Sequence, residues 1–153
     1  MIMADHKRIL LAEDNTNDAE LTLAALAEQK LADEIEVFPD GSEILDYLYR
    51  RGRFAERPSG NPAAIILDIK MPRVSGLDVL RIVKADEQLK TIPVVMLTSS
   101  REEGDLTTSY RLGANAYVVK PVGFTEFSSA IQQLGAFWCS TNEPPPGTIL
   151  RRK

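Results

Sequence analysis

The chain has 153 residues, 44% of them apolar and 26% charged, with a formal net charge of −4. That balance fits one globular domain with a buried core; it excludes a disordered chain and gives no general reason to bind nucleic acid or an anionic membrane. With one cysteine (Cys139) and one histidine (His6), there is no material for an internal disulfide, a Cys-His or Ser-His-Asp catalytic set, or a structural zinc site.

No apolar run approaches the ~20 residues of a membrane-spanning helix. The N-terminal stretch Met1–Arg8 contains Asp5, His6, Lys7 and Arg8 and lacks a secretory apolar region. A frayed start and a reducing, cytoplasmic setting are expected.

From there, apolar runs alternate with helical patterns. Arg8–Ala12 reads as a strand, and Asp18–Gln29 follows as a helix with Leu21, Leu23, Ala24, Ala25 and Leu26 on one broad side, capped by Asn17 or Asp18. Glu34–Phe38 is the second strand. Ser42–Tyr49 is the second helix, with Ile44, Leu45 and Leu48 at helical spacing after an Asp40–Gly41 turn. Arg50–Pro62 breaks the rhythm: it is basic and turn-rich and is expected to be an inserted surface loop whose arginines face solvent.

Ala64–Leu67 is the third strand and Leu77–Ala85 the third helix, opened by Ser75–Gly76. Pro93–Leu97 is the fourth strand, Asp105–Leu112 a short and weakly apolar helix, and Ala116–Val119 the fifth strand. Phe124–Trp138 closes the series with Phe127, Ile131, Leu134 and Trp138 on one side. Leucine-rich and β-branched runs without polar alternation suit strands buried on both faces of a parallel sheet. Five strands alternating with five helices therefore predict a doubly wound α/β fold with right-handed crossovers. The domain is expected over residues 1–138, and residues 139–153, with Pro144-Pro145-Pro146-Gly147, as an extended arm.

Four predicted strands run into polar residues: the first into Glu13-Asp14, the third into Asp68, the fourth into Thr98-Ser99-Ser100 and the fifth into Lys120-Pro121. In a parallel sheet these carboxyl ends share one edge, where open α/β sheets place their sites. Glu13, Asp14 and Asp68 would then repel one another, at about 4 kcal/mol per pair for ~4 Å and an effective dielectric of about 20. Lys120 supplies one positive charge and a divalent cation would supply two; an oxygen-only site suits Mg²⁺. A carboxylate such as Asp68 can act as a nucleophile toward phosphorus, and phosphoryl transfer needs positioning and charge neutralisation more than a proton relay. Taken singly, each of these residues also fits a turn, a helix cap or a surface charge. No glycine-rich dinucleotide or Walker-type phosphate loop occurs.

The set Glu13-Asp14-Asn15-x-x-Asp18, Leu67-Asp68-x-x-Met71-Pro72-x-x-x-Gly76, Leu97-Thr98-Ser99 and Gly113-Ala114-x-x-Tyr117-x-x-Lys120-Pro121 resembles the receiver domains of two-component response regulators, over roughly Lys7 to Leu134. The resemblance implies a flavodoxin-like fold, with a five-stranded sheet of order 2-1-3-4-5. It implies a switch rather than a turnover enzyme. Asp68 would accept a phosphoryl group from a sensor histidine kinase. Asp14 and Asp68 would bind Mg²⁺ directly, Glu13 through water, and Lys70 through its backbone carbonyl. Thr98 and Lys120 would contact the phosphoryl group, Tyr117 would be the aromatic switch residue, and Lys120–Pro121 a cis peptide. The side chain of Lys70, two residues beyond Asp68, is expected to modulate dephosphorylation.

The long 50–62 insertion and the arm are similar to single-domain regulators that partner bacterial and cyanobacterial phytochrome kinases. That subgroup implies a homodimer through the last two α/β units, with the arm reaching across; a tail lying on its own domain is the competing reading. After Leu134 there is too little chain for a DNA-binding domain, so output through protein contacts is expected. Other readings are a phosphorelay intermediate handing phosphate to a histidine phosphotransfer protein, and a partner-binding receiver that is never phosphorylated. A phosphatase of the haloacid dehalogenase type would need an acid where Lys70 stands.

Overall fold

A computed structural model describes residues 5–152. The strands are β1 (Asp5–Lys7), β2 (Ile9–Ala12), β3 (Ile35–Phe38), β4 (Ala64–Leu67), β5 (Val94–Thr98), β6 (Ala116–Val119) and β7 (Leu150–Arg152). The α-helices are α1 (Thr16–Glu28), α2 (Gly41–Leu48), α3 (Gly76–Ala85), α4 (Glu103–Leu112) and α5 (Phe124–Gly135). The main sheet has the order β3-β2-β4-β5-β6, all parallel. Counting these five strands alone, the order is 2-1-3-4-5, as expected.

Burial follows position in the sheet. The interior strands β2, β4 and β5 are buried at every residue, whereas the edge strand β6 is half-buried throughout. Side chains alternate between the two faces. Leu10, Ile65, Leu67 and Met96 pack with Ile44, Leu45, Val79, Leu80 and Val83 of α2 and α3. Ile9, Leu11, Ile66, Val95 and Leu97 pack with Ala25 and Leu26 of α1 and Phe127 and Ile131 of α5. Helices thus cover both faces, as an all-parallel sheet requires.

Several expectations need correction. The cap of α1 is Asn15, not Asn17 or Asp18: its side chain accepts the Asp18 N–H at 3.0 Å, which starts the helix two residues earlier. The last helix is α-helical only to Gly135 and continues as a π-helical turn, Ala136–Thr141, that ends with the Asn142 N–H on the Phe137 carbonyl. That turn buries Cys139, whose thiol is pushed up to about 12, first by burial and then by the charge of Glu34.

The 50–62 segment is not simply a solvated loop. Phe54 is buried, edge-on to Phe38 and Tyr47. Arg57 is half-buried, with its guanidinium on the Tyr47 ring and on four backbone carbonyls. Arg51 and Arg53 pair with Asp46 and Glu43 of α2. Hydropathy alone underrates such a segment because an arginine can satisfy buried carbonyls while keeping its charge.

The arm lies on its own domain. β7 pairs antiparallel with β1, so Asp5–Lys7 is not frayed. Asn61 of the insertion exchanges backbone hydrogen bonds with Gly147 and Ile149, and Lys7 Nζ donates to the carbonyls of Ser140 and Asn142. The arm thereby ties the N-terminus to the insertion within one chain.

Candidate functional site

The carboxyl ends of β2, β4, β5 and β6 form the site, and the ladders fix its dimensions. Ala12 pairs with Leu67, and Thr98 with Val119, so Glu13, Asp68 and Lys120 each follow the last paired residue of a strand. Backbone bonds extend the ladder one step into the site: Glu13 N–H to Phe38, Asp68 N–H to Ala12 and Lys120 N–H to Thr98. Residues more than 100 positions apart are brought together by the sheet.

At the centre, Lys120 Nζ lies 2.7 Å from Glu13 Oε1, 2.9 Å from Asp68 Oδ2 and 2.9 Å from Asp18 Oδ2. Lys120, Glu13 and Asp68 are all buried. Burial disfavours the charged ammonium, but hydrogen bonds to Glu13, Asp18 and Asp68 outweigh it and hold Lys120 protonated above the ordinary lysine value. Burial also pushes the Glu13 carboxyl up to about 7, against Lys120 and the Asn15 N–H, with the charge of Asp68 adding to the rise. One lysine does not neutralise this cluster.

Glu13, Asp14 and Asp68 each bring a carboxylate oxygen within 4.8 Å of the others, with Asp14 on the exposed side. Three convergent oxygens, short of positive charge and open to water on one side, fit a hard divalent cation that keeps part of its hydration shell. The residues present therefore fit the expected cation.

The loop after β4 is held from two sides. Gly76, at the start of α3, passes so close to the Asp68 carbonyl that a Cβ would overlap that oxygen and lie 2.8 Å from its carbon. Its N–H donates to Ile69 at 2.8 Å. Arg73, in a left-handed conformation with φ of 65°, comes within 3.9 Å of the Asp40 carboxylate that caps α2. Lys70 is exposed on this loop, two residues beyond Asp68.

Thr98 is buried at the end of β5, with its Oγ1 accepting the Ser100 N–H at 3.3 Å. Ser100 Oγ donates to Asp105 at 2.6 Å, and the half-buried Tyr117 donates its hydroxyl to the Ser100 carbonyl at 3.0 Å. Thr98, Tyr117 and α4 thus meet on one short loop. The Lys120–Pro121 peptide is trans, which corrects the cis expectation. Proline lowers the cost of cis without abolishing the trans preference, and Lys120 reaches all three carboxylates from the trans bond.

The sequence offers Asp18 only as a helix cap and motif residue; its contact with Lys120, and those of Ser100 with Asp105 and Tyr117, emerge in the structure. Asp18 had a legible signal, since it stands four residues after Asp14 in the first turn of α1. Helix N-termini favour acids in any case, so that position alone does not mark a site.

Residues 9–132 match the family model described as the response regulator receiver domain. The chain is 33% identical to response regulator Rcp1 of Synechocystis sp. over 135 residues, 88% of this chain and 90% of that protein. It superposes on the phosphorylated cyanobacterial phytochrome response regulator RcpA with a TM-score of 0.85 at 36% identity, covering 92% of this chain and 99% of that one. The bacteriophytochrome response regulator RtBRR is 58% identical, with a TM-score of 0.72 over 93% of this chain and 86% of that one. A solved structure of Rcp1 is its Mn²⁺-bound form, with a TM-score of 0.82 at 33% identity, covering 91% of this chain and 99% of that one.

Proposed function

The chain belongs to the response regulator receiver family, and from that premise we propose that it is a phosphorylation switch answering a phytochrome-type sensor histidine kinase. The observation that carries this reading is the buried Asp68 carboxylate, held at 2.9 Å by Lys120 inside an acidic cradle that fits a divalent cation. An Asp68 oxygen attacks the phosphorus of a phosphohistidine; the P–N bond breaks and its electron pair returns to the imidazole. Lys120 and the Thr98 hydroxyl then bind phosphoryl oxygens; Asp14, Asp68 and the Lys70 carbonyl would hold Mg²⁺ directly, and Glu13 would hold it through water. The cation, when bound, neutralises charge on the transferring group. Hydrolysis reverses the state: water attacks phosphorus, the acyl phosphate bond breaks, and Asp68 returns as carboxylate. The exposed Lys70 side chain modulates this step.

Drawing Thr98 toward the phosphoryl group releases its bond to Ser100, and Tyr117 turns inward as its hydroxyl leaves the Ser100 carbonyl. The message leaves through the face of α4, β6 and α5 as a change in protein contacts, with no covalent chemistry on another substrate. Phe137, 44% exposed and edge-on to Trp138, borders a groove with Ala116, Val118, Ala130 and Leu134 on this face, which supports a homodimer through the last α/β units. The β7 arm, which pairs with β1 of its own chain, could make the same pairs with a second copy.

Incubation with Mg²⁺ and acetyl phosphate, read by intact mass, tests the switch. Wild type should gain one phosphoryl group and Asp68→Asn none; no label on either protein refutes the reading. Size-exclusion of a chain ending at Asn142 tests the arm, since an unchanged dimer would show that β7 is not needed.

A further inference from the structure

A fourth carboxylate reaches the cluster. Asp18, on the first turn of α1, accepts from Lys120 Nζ at 2.9 Å, the same distance that separates Lys120 from Asp68. With Glu13 at 2.7 Å, all three N–H groups of the ammonium face carboxylates. The cation cradle is formed by Glu13, Asp14 and Asp68, so Asp18 touches the lysine from outside it.

This changes the charge balance. Glu13, Asp14, Asp18 and Asp68 in their ionised forms outnumber Lys120 plus a divalent cation by one negative charge. A phosphoryl donor adds roughly two more. Because Asp18 and Asp68 share one ammonium, their oxygens lie within about 6 Å of each other, close enough for strong repulsion in a partly buried crevice.

Resting on the reading of Asp68 as phosphoacceptor, we propose that Asp18 is an electrostatic brake on phosphorylation of Asp68: it occupies Lys120 in the resting state and repels the incoming phosphoryl group. Lys120 keeps its place without Asp18, because Glu13 and Asp68 still hold it. The same negative charge must help bind the cation. Removing it therefore has opposite effects on the two ligands: the anion reacts faster and the cation binds more weakly. An Asp18 that only stabilised the start of α1 would not produce this opposition, since loosening the site would slow the anion's reaction as well as weaken the cation.

The test compares wild type, Asp18→Asn and Asp18→Glu by Mg²⁺ calorimetry and by the initial rate of acetyl phosphate labelling at saturating Mg²⁺. Asp18→Asn should label about three- to ten-fold faster and bind Mg²⁺ more weakly by a similar factor, both differences shrinking as salt is raised. Asp18→Glu should lie closer to wild type than to Asp18→Asn in both measurements. Slower or unchanged labelling of Asp18→Asn overturns the brake, as does an Asp18→Glu protein that matches Asp18→Asn. If wild type takes no label while Asp68→Asn also takes none, the phosphoacceptor reading fails and the brake falls with it.

Discussion

Arg57 is fastened to Tyr47 twice: its Nε–H donates to the Tyr47 carbonyl at 2.6 Å, and its guanidinium carbon lies 4.2 Å from the centre of the Tyr47 ring. The other N–H groups reach the carbonyls of Leu48, Pro58 and Gly60. Tyr47 and Leu48 end α2, where carbonyls without an i+4 helical partner and the helix dipole both favour a cation, although the Tyr47 carbonyl also accepts the Arg50 N–H at 3.1 Å. Arg57→Ala should cost about 2–4 kcal/mol, because charge-assisted bonds are the strong ones and the carbonyls would be left partly buried. Arg57→Lys should recover less than half, since one ammonium cannot span four carbonyls around a planar fork. Urea denaturation checks both; a lysine variant as stable as wild type would contradict this account.

Gly76 is placed by close approach, with no room for a Cβ beside the Asp68 carbonyl. Gly76→Ala should therefore cost about 1–3 kcal/mol through overpacking. It should also displace Asp68 from Lys120, slowing acetyl phosphate labelling by at least about ten-fold, since angstrom-scale misplacement costs that much or more. Labelling at the wild-type rate would show that the loop moves without disturbing the carboxylate.

Tyr117 and Asp105 hold the same short loop from opposite sides, through the Ser100 carbonyl and the Ser100 hydroxyl. Tyr117→Phe removes only the first bond and should cost about 1 kcal/mol. The Ser100 and Glu102 amides should exchange hydrogen faster in this variant, and faster again with Ser100→Ala. The two effects should be non-additive because both changes loosen one loop. Unaltered exchange would place the restraint elsewhere.

Asp40 ties α2 to the loop after β4, accepting from the Glu43 N–H and the Ser42 hydroxyl, both at 2.9 Å, with Arg73 nearby. Burial opposes its ionisation, yet these hydrogen bonds and Arg73 hold the carboxyl below its ordinary value. A lowered carboxyl pKa adds stability above the ordinary value of about 4 and loses it as pH falls below that. Asp40→Ala should cost about 1–2 kcal/mol at neutral pH. Asp40→Asn keeps a capping oxygen but no charge, so its deficit against wild type should shrink below about pH 4 in urea titrations. A deficit constant with pH would rule out the charge.

The sequence by itself determined the five-stranded parallel fold and the central cluster except for Asp18. Strands buried on both faces need uninterrupted apolar runs such as Ala64–Leu67, and a parallel sheet puts the residue after each run on one edge. Glu13, Asp68, Thr98 and Lys120 could therefore be grouped from local pattern alone. Only the tertiary structure decided where long side chains and chain ends go. Arg57, which pattern alone leaves in solvent, meets four carbonyls, β7 pairs with β1 of its own chain, and Lys120–Pro121 is trans. Asp68 needed both sources: its place at a strand end follows from the apolar run before it, whereas its sharing of Lys120 with Glu13 and Asp18 depends on distances that no periodicity encodes.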